Sequence, residues 1–121
     1  MRFISPETSL VHLPLMEWAK YHPICSKFLI HIANERKCTP AQGALLKRLG
    51  VKAGVSDLFL AYPTSQYSGF WIELKAKGKK PTINQQEWLD NMAKLGYKTA
   101  CFDDPELAIK EILNYLKENK K

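Results

Sequence analysis

The sequence has no apolar run close to the roughly 18 residues that a membrane span needs. It has few cysteines, and Cys25, Cys38 and Cys101 are odd in number, widely spaced and without a C-x-x-C. That excludes a zinc ribbon and a paired disulfide framework, and it makes a reducing cytoplasm the expected compartment. No H-E-x-x-H joins His12, His22 and His31, so these read as surface or packing residues and not as metal ligands. The phosphate-cradling G-x-x-x-x-G-K-[ST] is missing, which argues against a nucleotide-triphosphate site. Arg2 is followed by no continuous apolar block, so the N-terminus does not read as a secretory signal. No repeat or linker divides the chain.

The chain does hold enough apolar sequence for one core. Its 121 residues are 45% hydrophobic and 25% charged, which suits a single soluble domain over residues 1–121. The net charge of +6 favours a polyanionic partner such as DNA. Charge alone would also fit a merely soluble surface.

The chemistry concentrates in residues 54–85. Two aromatic and branched runs, bounded by Gly, Pro and Ser, read as strands. Asp57 opens the first run, and Glu73 and Lys75 lie in the second. Side chains alternate along a strand, so Phe70, Ile72 and Leu74 share one face and Trp71, Glu73 and Lys75 the other. Charges in an apolar strand are costly unless paired or metal-bound. Asp57 and Glu73 are therefore expected to hold a divalent cation, Mg²⁺ or Mn²⁺, beside the Lys75 ammonium. The plainer alternative is an exposed Glu–Lys pair on an edge strand, because E-x-K is a common string.

Three segments carry a resemblance: Gly50-Val-Lys-Ala-Gly-Val-Ser-Asp57, Ile72-Glu-Leu-Lys-Ala76, and Gln85-Gln-Glu-Trp-Leu89 with the later Leu95-Gly-Tyr97. Together they resemble the VRR-NUC (virus-type replication-repair nuclease) domain of the PD-(D/E)xK superfamily, over roughly residues 28–116, in the size of standalone phage-type members. The resemblance implies Asp57, Glu73 and the Leu74 carbonyl as metal ligands, Lys75 as the catalytic lysine and Gln85 as the glutamine of the next helix. It also implies an acid from the first helix at the metal, for which Glu7 and Glu17 compete, with Glu7 slightly favoured. A role as first-turn acid fits Glu7 as well. Ser56 departs from the pattern, standing where the superfamily has proline.

Along the chain, Ser5-Pro6-Glu7 reads as a helix start, with a kink or a fresh helix at Pro14 ending near Pro23. Residues 26–32 read as the first strand. The loop after it carries Asn34 and Arg36, which are candidates for phosphate contact or a plain turn. Thr39-Pro40-Ala41-Gln42 opens a capped helix with Leu45, Leu46 and Leu49 inward and Gly50 past its end. Lys47, Arg48 and Lys52 are candidate phosphate contacts, or simply cations at a helix end. Lys77, Lys79 and Lys80 crowd the loop after the Glu73 strand and are expected to grip DNA backbone. Thr82 opens another helix, where Gln85 fits both a capping box and the site; Trp88, Leu89, Met92 and Leu95 should be core. Residues 97–102 read as the fourth strand. Asp104 should cap a last helix carrying Leu107, Ile109, Ile112, Leu113 and Leu116.

The expected fold is α/β: a restriction-endonuclease-like core with a mixed central sheet of about four strands flanked by helices. The expected function is a metal-dependent DNA endonuclease, selective for branched DNA in the manner of a Holliday-junction resolvase and acting as a homodimer in a phage or bacterial host cell. A less selective endonuclease or flap nuclease is the enzymatic alternative, and a DNA-binding module without catalysis is the other.

Overall fold

Alternation along Phe70-Trp-Ile-Glu-Leu74 decides the architecture, because it gives the central strand two different faces. The computed structural model describes residues 4–32 and 39–117. The elements are a π-helical turn (Thr8–His12) running into α1 (Leu13–Ala19), α2 (Cys25–Phe28), β1 (Leu29–His31), α3 (Pro40–Arg48), β2 (Leu58–Leu60), β3 (Phe70–Leu74), α4 (Ile83–Lys94), β4 (Lys98–Phe102) and α5 (Pro105–Lys117). The four strands lie in the order β1-β2-β3-β4, antiparallel except for the parallel β3–β4 pair. This is the mixed α/β sheet expected.

One face carries Leu29, Leu58, Leu60, Phe70, Ile72 and Leu74, all buried against Val11, Leu15 and Ala19 and against Ala108, Ile112 and Tyr115 of α5. Tyr115 is fully buried and spends its hydroxyl on the Tyr62 carbonyl at 2.7 Å. The opposite face is aromatic. Phe59 and Trp71 meet at 4.3 Å between ring centroids, and Trp88 of α4 stands edge-on to Trp71 at 5.2 Å. The sheet is thus a slab with α1 and α5 on one side and α4 on the other.

Several local expectations need correcting. The first strand begins at Leu29 and not at Ser26, because residues 25–28 form a helical turn. His22 Nδ1 accepts from the Ile24 and Cys25 amides at 3.2 Å each and so caps that turn. Of the leucines expected inward on α3, Leu45 is 51% and Leu49 71% exposed, and α3 buries none of its residues. Leu95, Leu107 and Leu113 are exposed as well, while Ala108 and Tyr115 complete the buried stripe of α5. Capping chemistry behaves as expected: Thr39 and Thr82 both close capping boxes, and Asp104 Oδ1 accepts from the Glu106 amide at 2.8 Å.

Pro14 shapes the first helix without ending it. Proline has no N–H for the Leu10 carbonyl, and its ring clashes with the preceding turn. The chain answers by widening: the Leu13 amide bonds the Thr8 carbonyl, five residues back. A π turn of this kind brings residues five apart onto one side, where an α-helix would bring residues four apart. Glu7 and His12 are so related.

Candidate active site

Asp57 lies one residue before β2, on the strand that pairs with β3. It is tied at both ends. Its Oδ2 accepts the Leu74 amide at 2.8 Å, and its carbonyl accepts the Ile32 amide at 2.7 Å. His31 Nδ1 lies 3.0 Å from the same carbonyl and must be the donor, because a carbonyl only accepts. Asp57 is therefore held in a fixed place beside the end of β3.

Glu73 is 2% exposed, and its Oε1 is buried with no hydrogen-bond partner among the described residues. Burial pushes its carboxyl up to about 9, helped by the charge of Asp57 and a hydrogen bond with it; Lys75 opposes the shift and Glu7 adds to it. The two acid tips thus lie on one side of the sheet and within reach of each other. Lys75 Nζ stands 4.0 Å from Glu73 Oε2, with its side chain 13% exposed. Two carboxylates this close cannot both ionise cheaply without a cation between them.

Glu7 lines a cleft with Asp57, whereas Glu17 makes an exposed 3.0 Å salt bridge with Lys20. Of the two first-helix acids, Glu7 faces the site side. Gln85 is buried, and its Oε1 accepts the Thr82 amide at 2.9 Å, so the capping role is real. Lys47, Arg48, Lys52, Lys77, Lys79 and Lys80 are all exposed. Asn34 and Arg36, like Cys38, fall outside the described residues. The Gly78 amide donates to Asp103 Oδ2 at 2.9 Å, anchoring the lysine-rich loop to the end of β4.

Sequence reasoning missed three features. Gly54 has φ +87° and sits so close to α4 that a Cβ would lie 2.6 Å from the Asn84 carbonyl. The glycine of the Gly-x-Ser-Asp run thereby joins the Asp57 segment to the helix of Gln85. His12 and His31 also face the cleft beside Asp57, with ring centroids 4.7 Å apart. Asp103, just before the Asp104 cap, anchors the lysine-rich loop. None of these is visible in one dimension, since each depends on packing between distant segments.

The donor set is that of a hard cation. Among the described residues no three His, Cys, Asp or Glu side chains converge to hold an ion alone. Two neighbouring carboxylates, one with an orphaned oxygen, fit a hard divalent cation such as Mg²⁺ or Mn²⁺, which completes its shell with water and phosphate oxygens. The buried thiol of Cys25 and the half-buried thiol of Cys101 are both pushed up to about 11, chiefly by burial, and so are poor nucleophiles.

The raised Glu73 carboxyl predicts a pH dependence in the metal-free protein. Its folded pKa of about 9 exceeds the ordinary 4.5, so between these values the folded chain keeps a proton that the unfolded chain has lost. Stability then falls as pH rises through that window. Urea midpoints in chelator should drop from pH 5.5 to pH 8.5, by less in Glu73→Gln, and Mn²⁺ should restore the unmodified protein. A rising midpoint would contradict the pairing.

A search of curated proteins finds no match. A scan of protein families matches the VRR-NUC domain over residues 8–103. Among solved structures, a chain described as a VRR_NUC domain protein superposes with a TM-score of 0.78 at 26% identity, covering 98% of this chain and 93% of that one. The sheet order, the acidic pair at the end of the β2–β3 ladder and the family match agree: the chain belongs to the VRR-NUC domain family and is a nuclease of the PD-(D/E)xK type, a hydrolase acting on DNA.

Proposed function

We propose that this chain is a metal-dependent endodeoxyribonuclease that cuts branched DNA, with the four-way junction as its foremost substrate. The observation that carries the metal reading is the Glu73 Oε1, buried beside Asp57 without a partner among the described residues. Asp57, Glu73 and the Leu74 carbonyl would hold Mg²⁺ or Mn²⁺, with Glu7, which lines the same cleft as Asp57, as the further acid toward it. When bound, the cation supplies a water of lowered pKa and offsets charge at the phosphate.

The side chains do the rest. Lys75 orients the attacking water and neutralises charge growing on the phosphate oxygens. Gln85 fixes the start of α4 through its carbonyl and would reach water or phosphate through its amide nitrogen. Lys77, Lys79 and Lys80, on a loop held by Asp103, take neighbouring phosphates. Lys47, Arg48 and Lys52 extend that track from α3, and Asn34 and Arg36 are assigned the same task. A junction of two-fold symmetry calls for a symmetric dimer. The exposed Leu45 and Leu49 of α3 support it.

One assay separates the readings. Labelled four-way junction, flap, single-stranded and linear duplex DNA are incubated with Mg²⁺, Mn²⁺ or chelator. Paired symmetric nicks in the junction support the resolvase. Cutting of every substrate, or of flaps alone, supports the less selective endonuclease or flap nuclease. Binding without metal-dependent cutting in any lane leaves a passive DNA-binding module. Lys79→Ala with Lys80→Ala should weaken binding and lower the slope of log affinity against log salt by about 2, one for each lost phosphate contact. An unchanged slope would remove the loop from the interface.

A further inference from the structure

The cleft beside Asp57 is larger than a metal and one water require. Its volume is about 460 Å³, within the range of small-molecule pockets and enough for one nucleotide. We propose that it is a subsite for a single unpaired nucleobase of the DNA, next to the phosphate that is cut. The proposal rests on the reading of the acidic pair as the hydrolytic centre and adds what the substrate must offer it.

The walls suit a base better than a phosphate. His12 and His31 stand edge-to-face at 4.7 Å on one side, and Leu13 and Met16 supply an apolar surface. Unpaired bases bind by stacking on aromatic or imidazole planes and by hydrogen bonds to their edges. Apart from the phosphate oxygens a cation would take, the carboxylates of Glu7 and Asp57 in the same lining disfavour further anionic groups and leave the uncharged part of the nucleotide as the fitting occupant of the remaining space. The lysines that attract phosphate belong to the loop after β3, a different element.

The rings are also held in place. With its Nδ1 proton on the Asp57 carbonyl at 3.0 Å, the His31 ring has a fixed orientation, and in the neutral ring Nε2 is an acceptor for a base N–H. His12 reaches this wall because of the π turn, which the missing N–H of Pro14 favours and which puts His12 on the side of Glu7. A base stacked in a duplex cannot enter such a cleft without leaving its partner. Flaps, single-stranded forks and frayed ends supply one already free, and a four-way junction supplies one where a pair at its crossover opens, so the subsite favours these over continuous duplex.

The test uses the unmodified chain and forked DNA in chelator, so that nothing is cut. 2-Aminopurine is placed at successive nucleotides of each arm, and its fluorescence is followed during protein titration. One position at the branch should respond saturably, and an abasic site there should weaken binding about tenfold, within the range that one stacked base supplies. His12→Ala and His31→Ala should weaken binding to the intact fork by a similar factor and bind the abasic fork no worse than the unmodified chain does. Because His31 also holds the Asp57 carbonyl, the abasic substitution in the unmodified chain decides the matter. Equal affinity for intact and abasic forks at every position overturns the subsite even if the chain cuts DNA. A responding base with the tenfold loss, in a chain that cuts nothing with any metal, sustains the subsite and overturns the hydrolytic reading instead.

Discussion

Glu73→Gln is expected to lower metal-dependent cleavage by on the order of a hundredfold to a thousandfold or more, the scale of losing one preorganised electrostatic contact. The change keeps the shape of the side chain and removes only its charge. Oε1 is buried without a partner among the described residues, and the carboxyl sits against Asp57 with its pKa pushed up to about 9. In the metal-free fold this acid is therefore a liability. The neutral amide should unfold at equal or higher urea concentration near pH 8, while DNA affinity stays close to that of the parent. Activity and stability then move in opposite directions, as expected where a strained functional group is replaced. Asp57→Asn should cost a similar factor in rate. It keeps an oxygen for the Leu74 amide, now 2.8 Å from the carboxylate, so the fold should survive. Cleavage undiminished in either variant would remove the proposed centre. Equal losses of cleavage and folding would turn the result into one about stability.

Gly54→Ala should be the most damaging small change outside the core. The backbone there has φ +87°, a conformation that costs an L-residue about 1–3 kcal/mol. The added Cβ would also fall 2.6 Å from the Asn84 carbonyl and 2.7 Å from its carbon, atoms of a backbone that cannot rotate away. Overpacking of this kind costs another 1–3 kcal/mol or so. A total loss of about 2–6 kcal/mol is expected in urea unfolding. Any folded fraction should cut poorly, because relief requires moving Asp57 and Gln85 apart. Gly50→Ala is the control. It also has positive φ, +99°, but its Cβ would meet nothing within 4 Å, so only the backbone strain should appear. Equal losses for the two variants would show that the close approach to α4 is unimportant.

The acidic pair was legible because strand alternation is a short-range rule. Glu73 and Lys75 two apart in an apolar run, and Asp57 heading another, need only the pairing of β2 with β3 to meet. Helix boundaries set by caps were equally legible, since Thr39, Thr82 and Asp104 act on amides two or three residues away. What failed was periodicity without a partner. Leu45 and Leu49 have the spacing of a buried face, yet spacing cannot say whether an element lies opposite, and none buries them here. The strand begun too early at Ser26 has a similar cause. The β-rich run conceals a turn that His22 caps with its ring nitrogen, a role outside the usual capping residues. The histidine pair and the glycine against Asn84 are products of tertiary packing, and no window of sequence contains both halves of either contact.

The most direct test of the account is a Mn²⁺ titration followed by electron paramagnetic resonance, without DNA, on the parent chain, Glu73→Gln and Asp57→Asn. The parent should show saturable binding, and each variant should bind at least about tenfold more weakly, with Lys79→Ala plus Lys80→Ala unaffected. Mn²⁺ binding of equal strength in the parent and both acid variants would contradict the claim that Asp57 and Glu73 share one cation.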